Sequence, residues 1–132
     1  MGNGGAAVII GVGIDNVQSQ RMKEMLLKWA DRVENRVFNE VELEYSKSRE
    51  KTHLHLAARF AAKEALFKAL GKGLSEGITW TDVTISNDEA GKPHIQLRRK
   101  AKDIADQKGV NTIHVSLTHT DESAVAIVIL EN

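Results

Sequence analysis

Two acidic residues, far apart along the chain, could together hold a divalent cation. Asp15 directly follows the stretch VIIGVGI (residues 8–14), whose aliphatic and glycine residues predict a buried strand that ends on a carboxylate. Glu64 lies in the stretch LAARFAAKEALFKAL (56–70), whose apolar period predicts a strong helix. Two hard oxygen ligands are the usual protein share of a Mg²⁺ site whose remaining ligands are waters and phosphates. The pair therefore predicts a magnesium site, provided that the fold brings the two carboxylates together.

Lys68 follows Glu64 by one helical turn, and both residues border the apolar stripe of the predicted helix. The small residues beside them, Ala57 and Ala61, leave room for a ligand to approach. Each functional interpretation has a structural alternative. Glu64 and Lys68 could form a surface ion pair worth roughly 0.3–0.5 kcal/mol, and Asp15 could cap the helix that follows it. The spacing of these residues leaves both alternatives open.

Two glycine pairs invite a phosphate-binding interpretation. In GVG (11–13) the dinucleotide-binding pattern fails, because Asn16 stands where a third glycine should open a helix. In GKG (71–73) the first glycine stands where a helix end needs left-handed backbone, so the segment is either a helix stop or a loop that cradles phosphate. His119 ends a predicted strand and is either a solvated terminus or a ligand. The histidines lack the spacing of a zinc site.

The elements that must position these residues predict an α+β fold, a mostly antiparallel sheet with one long helix packed on it. Beyond the first strand and the 56–70 helix, the pattern predicts a helix at 19–36, irregular structure with a short helix at 37–54, strand-like segments at 77–88 and 92–97, a short helix at 98–108, and a closing hairpin of strands at 112–120 and 123–130.

The predicted helix at 19–36 has an apolar stripe formed by Met22, Leu26, Trp29 and Val33. Beside this stripe runs a basic ridge that contains one apolar residue, Met25. A solvated face and a docking surface for an acidic partner both fit the ridge, whose basic residues are Arg21, Lys28, Arg32 and Arg36.

Composition limits the class of protein. The chain has 132 residues, which is enough for one domain with one core, and its 18 basic residues balance 18 acidic ones. This balance argues against a general nucleic-acid binder, which needs surplus positive charge. The absence of cysteine excludes disulfides and thiolate chemistry, and no apolar run is long enough for a membrane span. We expect a cytoplasmic protein with a flexible leader at 1–7 and a single domain at 8–132.

Four blocks of the sequence resemble, in order and spacing, the bacterial holo-acyl-carrier-protein synthases, the small class of 4′-phosphopantetheinyl transferases. The blocks are GVGIDNVQSQRM (11–22), RFAAKEALFKALGKG (59–73), GKP (91–93) and VSLTHTDESAVAIVILE (115–131). The resemblance implies transfer of the phosphopantetheine arm of coenzyme A to a serine of apo-acyl carrier protein, with release of 3′,5′-ADP, in fatty acid biosynthesis.

The resemblance also implies roles for individual residues. Asp15 and Glu64 would hold Mg²⁺, for which Mn²⁺ could substitute, against the pyrophosphate of coenzyme A. Glu64, or a water on the metal, would take the serine proton, and Lys68 would meet the phosphates and stabilise the departing 3′,5′-ADP. The implied coenzyme A-binding residues are Arg59, Lys63, Lys68, Gly71, Gly73, Pro93, His119 and Thr120, of which Arg59 and Lys63 could instead be ion-pair partners.

By the same resemblance, carrier protein would dock on the first helix through Arg21, Met25, Lys28 and Arg32, and the chain would form a homotrimer with active sites between subunits. The chain departs from the family pattern at Gln18, where glutamate is usual, at Lys72, where threonine is usual, and at His94, where the family varies. Two other functions stay open: a module that binds coenzyme A or another nucleotide without catalysis, and a structural or regulatory partner of acidic proteins.

Overall fold

A computed structural model describes residues 6–132 of the chain. Its helices and strands follow the order β1 (Ile9–Gln18), α1 (Ser19–Trp29), α2 (Asp31–Val37), α3 (Glu40–Lys47), α4 (Thr52–Leu70), β2 (Val83–Asn87), β3 (Pro93–Leu97), α5 (Arg99–Gln107), β4 (Thr112–His119) and β5 (Ser123–Glu131), with short 3₁₀ turns at Leu74–Glu76 and Trp80–Asp82.

The strands form two antiparallel sheets. A three-stranded sheet has the order β1-β5-β4, and a separate hairpin pairs β2 with β3. Helix α4 packs against β1 and β5, and its alanines and leucines form the centre of the core. An alanine-rich surface lets the sheet come close to the helix axis. The α+β class with an antiparallel sheet packed on one long helix is therefore confirmed.

Several predicted boundaries change in the structure. β1 continues past Ile14 to Gln18, so Asp15 lies inside the strand and pairs with Ala126. Gln18 is the N-cap residue of α1 and makes no side-chain cap. Of the two alternatives for Asp15, the structure therefore excludes capping of this helix.

The predicted helix at 19–36 is two helices, because Ala30 adopts φ 36° and ψ −113° and breaks the helical path. Met22 and Val33 are buried as the apolar stripe predicts, but Trp29 is 44% exposed. The strand-like segment at 77–88 forms a strand only from Val83, after a 3₁₀ turn.

The predicted leader at 1–7 lies mostly outside the described residues, and residues 6–8 have no regular structure. Within residues 6–132, no helix combines the length and the hydropathy needed to cross a membrane.

Candidate active site

The two glycines of GVG let β1 lie directly on α4. A Cβ atom at Gly13 would stand 1.8 Å from the carbonyl oxygen of Ala65, and one at Gly11 would stand 2.0 Å from that of Ala69. No side chain fits at such distances, so both positions need glycine. Residues of a strand alternate between its faces, and Asp15 therefore points to the same side as these glycines, toward the helix.

Asp15 meets Lys68 of α4 at this contact. The Lys68 Nζ donates to Asp15 Oδ1 at 2.9 Å and to the carbonyl oxygen of Ile14 at 3.0 Å. The Asp15 side chain is only 11% exposed, whereas that of Lys68 is 55% exposed. The lysine thus joins the strand to the helix while its ammonium group still faces solvent.

Asp15 and Glu64 each have a buried carboxylate oxygen without a partner. Asp15 Oδ2 and Glu64 Oε1 are both buried, and neither has a hydrogen-bond partner among the described residues. Buried polar atoms are nearly always paired, so an unpaired one calls for an explanation such as an ion or a ligand. Hard anionic oxygens of this kind suit Mg²⁺.

The charge of Asp15 acts on the protonation of Glu64. Burial raises the pKa of Glu64, and the negative charge of Asp15 raises it further, while Arg21 and Lys68 act in the opposite direction. A cation between the carboxylates would relieve this repulsion. Within residues 6–132 no group of three or more metal-ligating side chains is gathered, so the candidate cation site depends on this pair of carboxylates.

Asp15 and Lys68 border an open cavity of about 480 Å³, whose other lining residues are Ile14, Asn16 and Val125. The hydrogen bond to Asp15 raises the pKa of Lys68. Its ammonium group therefore stays charged at neutral pH and offers a cation to any phosphate that enters.

Arg21 connects helix α1 to this site. Its guanidinium lies 5.5 Å from the centroid of the Phe60 ring, and its charge lowers the pKa of Glu64. Phe60 in turn stacks on Trp80 at 5.0 Å. Arg21 is thus close to the carboxylate pair as well as part of the basic ridge.

Lys63 lies in the interior, away from the cavity. Its ammonium has no exposed surface, pairs with Glu42 at 2.8 Å, and donates to the carbonyl oxygens of Val37 at 2.7 Å and Trp80 at 3.1 Å. Of the two roles considered for Lys63, only the ion pair has partners in the structure. We therefore correct the assignment of Lys63 from a coenzyme A contact to a structural ion pair.

Sequence reasoning missed Glu42, the other half of this pair. Glu42 also accepts hydrogen bonds from the backbone N–H groups of Asn39 and Ile85, each at 2.7 Å. The signal was present as an Asn-x-x-Glu capping box at the start of α3. That motif predicts a helix start but not a partner on α4.

A second cluster lies around the N-terminal half of α4. Arg59 is 2% exposed, donates to the carbonyl oxygen of His55 and to Asn87, and stacks on the Tyr45 ring at 4.1 Å. The rings of His55 and His119 meet edge to face at 5.1 Å. Burial, with the charges of His119 and Arg59, lowers the pKa of His55.

Pro93 and Thr120 also lie on this side of the chain. Pro93 pairs with Asn87 in the β2–β3 hairpin, and the Thr120 hydroxyl accepts hydrogen bonds from backbone N–H groups in the β4–β5 turn. Asn87, the strand partner of Pro93, accepts a hydrogen bond from Arg59, and Thr120 follows His119 in the chain. Among the described residues, the hydrogen bonds and ring contacts of this group do not include Asp15 or Glu64. The predicted site residues thus fall into two groups within one chain.

The glycine loop ends α4. Gly71 has φ 71° and adopts the left-handed backbone conformation that the sequence predicts there. The N–H group of Gly73 donates to Glu76 Oε1 at 2.8 Å, so one backbone donor of the loop already has a partner. Lys72 is exposed at the tip.

The docking residues lie on both sides of the helix break. Arg21, Met25 and Lys28 belong to α1, whereas Arg32 belongs to α2. Met25 is half-buried and the three basic residues are exposed. The ridge is therefore bent at Ala30.

Comparison with known proteins gives consistent matches over nearly the whole chain. A family model described as the 4′-phosphopantetheinyl transferase superfamily matches residues 11–128. The holo-[acyl-carrier-protein] synthase of Syntrophus aciditrophicus is 42% identical over 124 residues, which cover 94% of this chain and 97% of that protein.

Solved structures give the same result. The holo-[acyl-carrier-protein] synthase of Neisseria meningitidis superposes with a TM-score of 0.86 at 27% identity, covering 95% of this chain and 100% of that one. The Bacillus anthracis holo-(acyl-carrier-protein) synthase in complex with CoA (3′,5′-ADP) gives a TM-score of 0.76 at 33% identity, covering 96% and 98% of the two chains.

Proposed function

The chain belongs to the 4′-phosphopantetheinyl transferase superfamily, and we propose that it transfers the phosphopantetheine arm of coenzyme A to a serine of apo-acyl carrier protein. The serine oxygen forms a bond to the phosphorus that carries the pantetheine. The bond from that phosphorus to the bridging oxygen breaks, and 3′,5′-ADP leaves with the bond's electrons. The observation that carries this proposal is the buried pair of unpartnered carboxylate oxygens on Asp15 and Glu64.

The residues present fit a divalent cation. The donor set consists of two hard carboxylates, each with a buried oxygen that has no hydrogen-bond partner, which suits Mg²⁺, with Mn²⁺ as a substitute. When bound there, the cation would neutralise charge on the pyrophosphate. Asp15 on β1 and Glu64 on α4 would be the protein ligands of this cation.

The other residues of the site have roles that follow from their positions. Lys68 lines the cavity and its side chain is half-exposed, so its ammonium can bind the pyrophosphate and stabilise the leaving 3′,5′-ADP. Glu64, with its raised pKa, is the candidate acceptor for the serine proton. Catalysis is therefore assigned to Glu64 and Lys68.

Incubation with coenzyme A, Mg²⁺ and an apo-acyl carrier protein tests the proposal. We expect the carrier protein to gain the mass of one phosphopantetheine arm and 3′,5′-ADP to appear in equal amount. A protein that only binds coenzyme A would be stabilised against heat by coenzyme A but would give no mass gain. Loss of the mass gain on chelation of divalent cations tests the metal requirement.

Carrier protein binds, in this proposal, to the bent ridge of Arg21, Met25, Lys28 and Arg32. Acyl carrier proteins are acidic, so the exposed cations of the ridge would steer the encounter and make it sensitive to salt. Arg21 lies nearest the carboxylate pair. Arg21 would therefore help to position the serine of the carrier protein at the site as well as attract the carrier protein.

The chain also presents a surface suited to self-assembly. On the face of the three-stranded sheet opposite α4, Val12 is 54%, Ile14 is 58% and Ile127 is 36% exposed, and Val125 and Ile129 are half-buried beside them. A contiguous exposed apolar sheet face is typical of an interface between protein chains. We propose that copies of this chain cover it in a homotrimer.

A trimer would also explain why the site residues form two groups. The group of Arg59, Pro93, His119 and Thr120 could complete the coenzyme A pocket of a neighbouring subunit, next to that subunit's Asp15, Glu64, Lys68, Gly71 and Gly73. Binding of coenzyme A between subunits would then depend on assembly.

Mixing two impaired variants tests this arrangement. Glu64→Ala and His119→Ala subunits, allowed to exchange, should recover about a quarter of the wild-type sites if each site takes its two groups from different chains. Light scattering on the wild type measures the assembly directly, and Ile127→Lys should dissociate it. No recovery in a mixture shown to exchange would place both groups in one subunit. The cytoplasmic location stays a prediction from the sequence.

A further inference from the structure

Trp29 is the most exposed aromatic side chain on the ridge. It ends α1, is 44% exposed, and has two cations against its ring. The Lys28 ammonium lies 5.0 Å and the Arg32 guanidinium 5.9 Å from the ring centroid. Contacts of this length are cation–π interactions, which hold both charges over the ring of the indole.

The helix break puts Trp29 in this position. The apolar period predicts that Trp29 continues the buried stripe of Met22 and Val33, both of which are in the core. Ala30 instead adopts a positive φ of 36°, which residues other than glycine seldom do. The chain turns there, so that Arg32 returns over the ring.

Trp29 and Met25 form one apolar patch on α1. At about 100° per residue, the two side chains lie about 40° apart around the helix, and Arg21 lies about 40° beyond Met25. Leu27 lies about 160° away from Trp29 on the same scale. The patch is therefore on the ridge side of the helix, and Leu27, although 78% exposed, is on another side.

We propose that Trp29 is the apolar anchor by which this chain binds its acidic carrier protein, with Lys28 and Arg32 pairing with carboxylates around it. The inference rests on the proposed function, which supplies the partner. Within residues 6–132, neither Lys28 nor Arg32 makes an ion pair, so both charges are available to a partner.

The chemistry of the patch favours this partner. Trp and Arg are the residues that most often dominate binding energy at protein interfaces, where a central apolar contact is surrounded by groups that exclude water. An acidic partner with an apolar side chain matches an indole flanked by two cations in both charge and hydrophobicity.

Steady-state kinetics of Trp29→Ala and Leu27→Ala test the anchor. Trp29→Ala should raise the KM for the apo-acyl carrier protein about tenfold or more, because loss of a hot-spot aromatic has an effect of that size. The KM for coenzyme A and kcat should not change. Leu27→Ala, which removes a more exposed apolar side chain from the same helix, should leave all three constants at their wild-type values, and Trp29→Phe should retain part of the affinity.

The outcomes separate this inference from the proposed function. A wild-type protein that gives no mass gain on the carrier overturns the proposed function and the anchor with it. A wild-type protein that turns over, with an unchanged carrier KM in Trp29→Ala, overturns only the anchor. Equal effects of Trp29→Ala and Leu27→Ala on the carrier KM would also overturn the anchor. So would a changed oligomeric state of Trp29→Ala, measured by light scattering, because the patch would then be a contact between copies of this chain.

Discussion

Lys63 and Glu64 are neighbours in the chain, yet their charged groups lie in opposite environments. The Lys63 ammonium is fully buried and meets a carboxylate and two carbonyl oxygens. Glu64 keeps a buried oxygen without a partner and faces the like charge of Asp15. Pairing stabilises a buried charge, whereas an unpaired polar group costs about 1–3 kcal/mol. The Lys63–Glu42 ion pair therefore stabilises the fold, whereas Glu64 has an oxygen available to a ligand.

Removal of the free carboxylate should have the largest effect, and it should fall on activity. Glu64→Ala is expected to lower the rate of phosphopantetheine transfer about a thousandfold or more, since a metal ligand supports several kcal/mol of transition-state stabilisation. The midpoint of thermal unfolding should not fall, because no hydrogen bond to Oε1 is lost. Glu89→Ala, at an exposed turn, is the control. A Glu64→Ala rate within tenfold of wild type would contradict the assignment.

Removal of the buried cation should instead lower stability. Lys63→Met leaves the Glu42 charge buried without its partner, which is expected to cost about 3–5 kcal/mol in the free energy of unfolding. The matched control is Lys68→Met on the same helix, whose side chain is 55% exposed and whose ion pair is worth about 1 kcal/mol or less. Denaturant titration measures both. Adding Glu42→Gln to Lys63→Met should recover part of the loss, and equal losses in the two lysine variants would remove the contrast.

The close approach of β1 to α4, which carries both Lys63 and Glu64, can be tested at Gly13. Gly13→Ala places a methyl group against backbone atoms of Ala65 and Ala69, which is expected to cost about 1–3 kcal/mol or more of stability. The strand must move away from α4, so transfer activity should fall as well. Gly73→Ala meets only the Phe67 side chain at 3.8 Å or more and should leave stability near the wild-type value. A stable, fully active Gly13→Ala protein would show that the carboxylate pair does not depend on this contact.

The smallest effect is expected from pH. Burial and Asp15 raise the pKa of Glu64 above its unfolded value of about 4.3. The stability that Glu64 contributes is therefore fully present below that unfolded value and is lost as pH rises through the folded pKa. In the presence of a chelator, Glu64→Gln should have a higher free energy of unfolding than the wild type at pH 7 to 8. This difference should disappear at acidic pH. Mg²⁺ should stabilise the wild type and not this variant. A variant less stable than wild type at neutral pH would contradict the repulsion.

Much of the fold could be predicted because its signals are local. The apolar period from Leu56 to Leu70 identifies α4, and the left-handed end at Gly71 follows from the glycine itself. Alternation in the last two segments predicts the β4–β5 hairpin. These features need only neighbouring residues, so the sequence suffices for them.

Features that depend on distant packing could not be predicted. The break at Ala30 has no glycine or proline to mark it, so the period alone favours one helix and a buried Trp29. The two glycines of GVG indicate a special backbone position, but only the position of α4 explains them. On a helical wheel Lys63 falls within the apolar stripe of α4 and Lys68 at its border, but the wheel does not show the Glu42 carboxylate that pairs with Lys63.

By itself, the sequence determined which groups are available: two carboxylates and a lysine on elements of predictable type, with glycines beside them. The tertiary structure decided what each group does. It leaves Asp15 and Glu64 each with a buried oxygen that has no partner, buries Lys63 on Glu42, and leaves Trp29 at the surface. The reason is physical: the protonation, pairing and exposure of a side chain depend on burial and on charges that lie far away along the chain, and only the folded molecule fixes those distances.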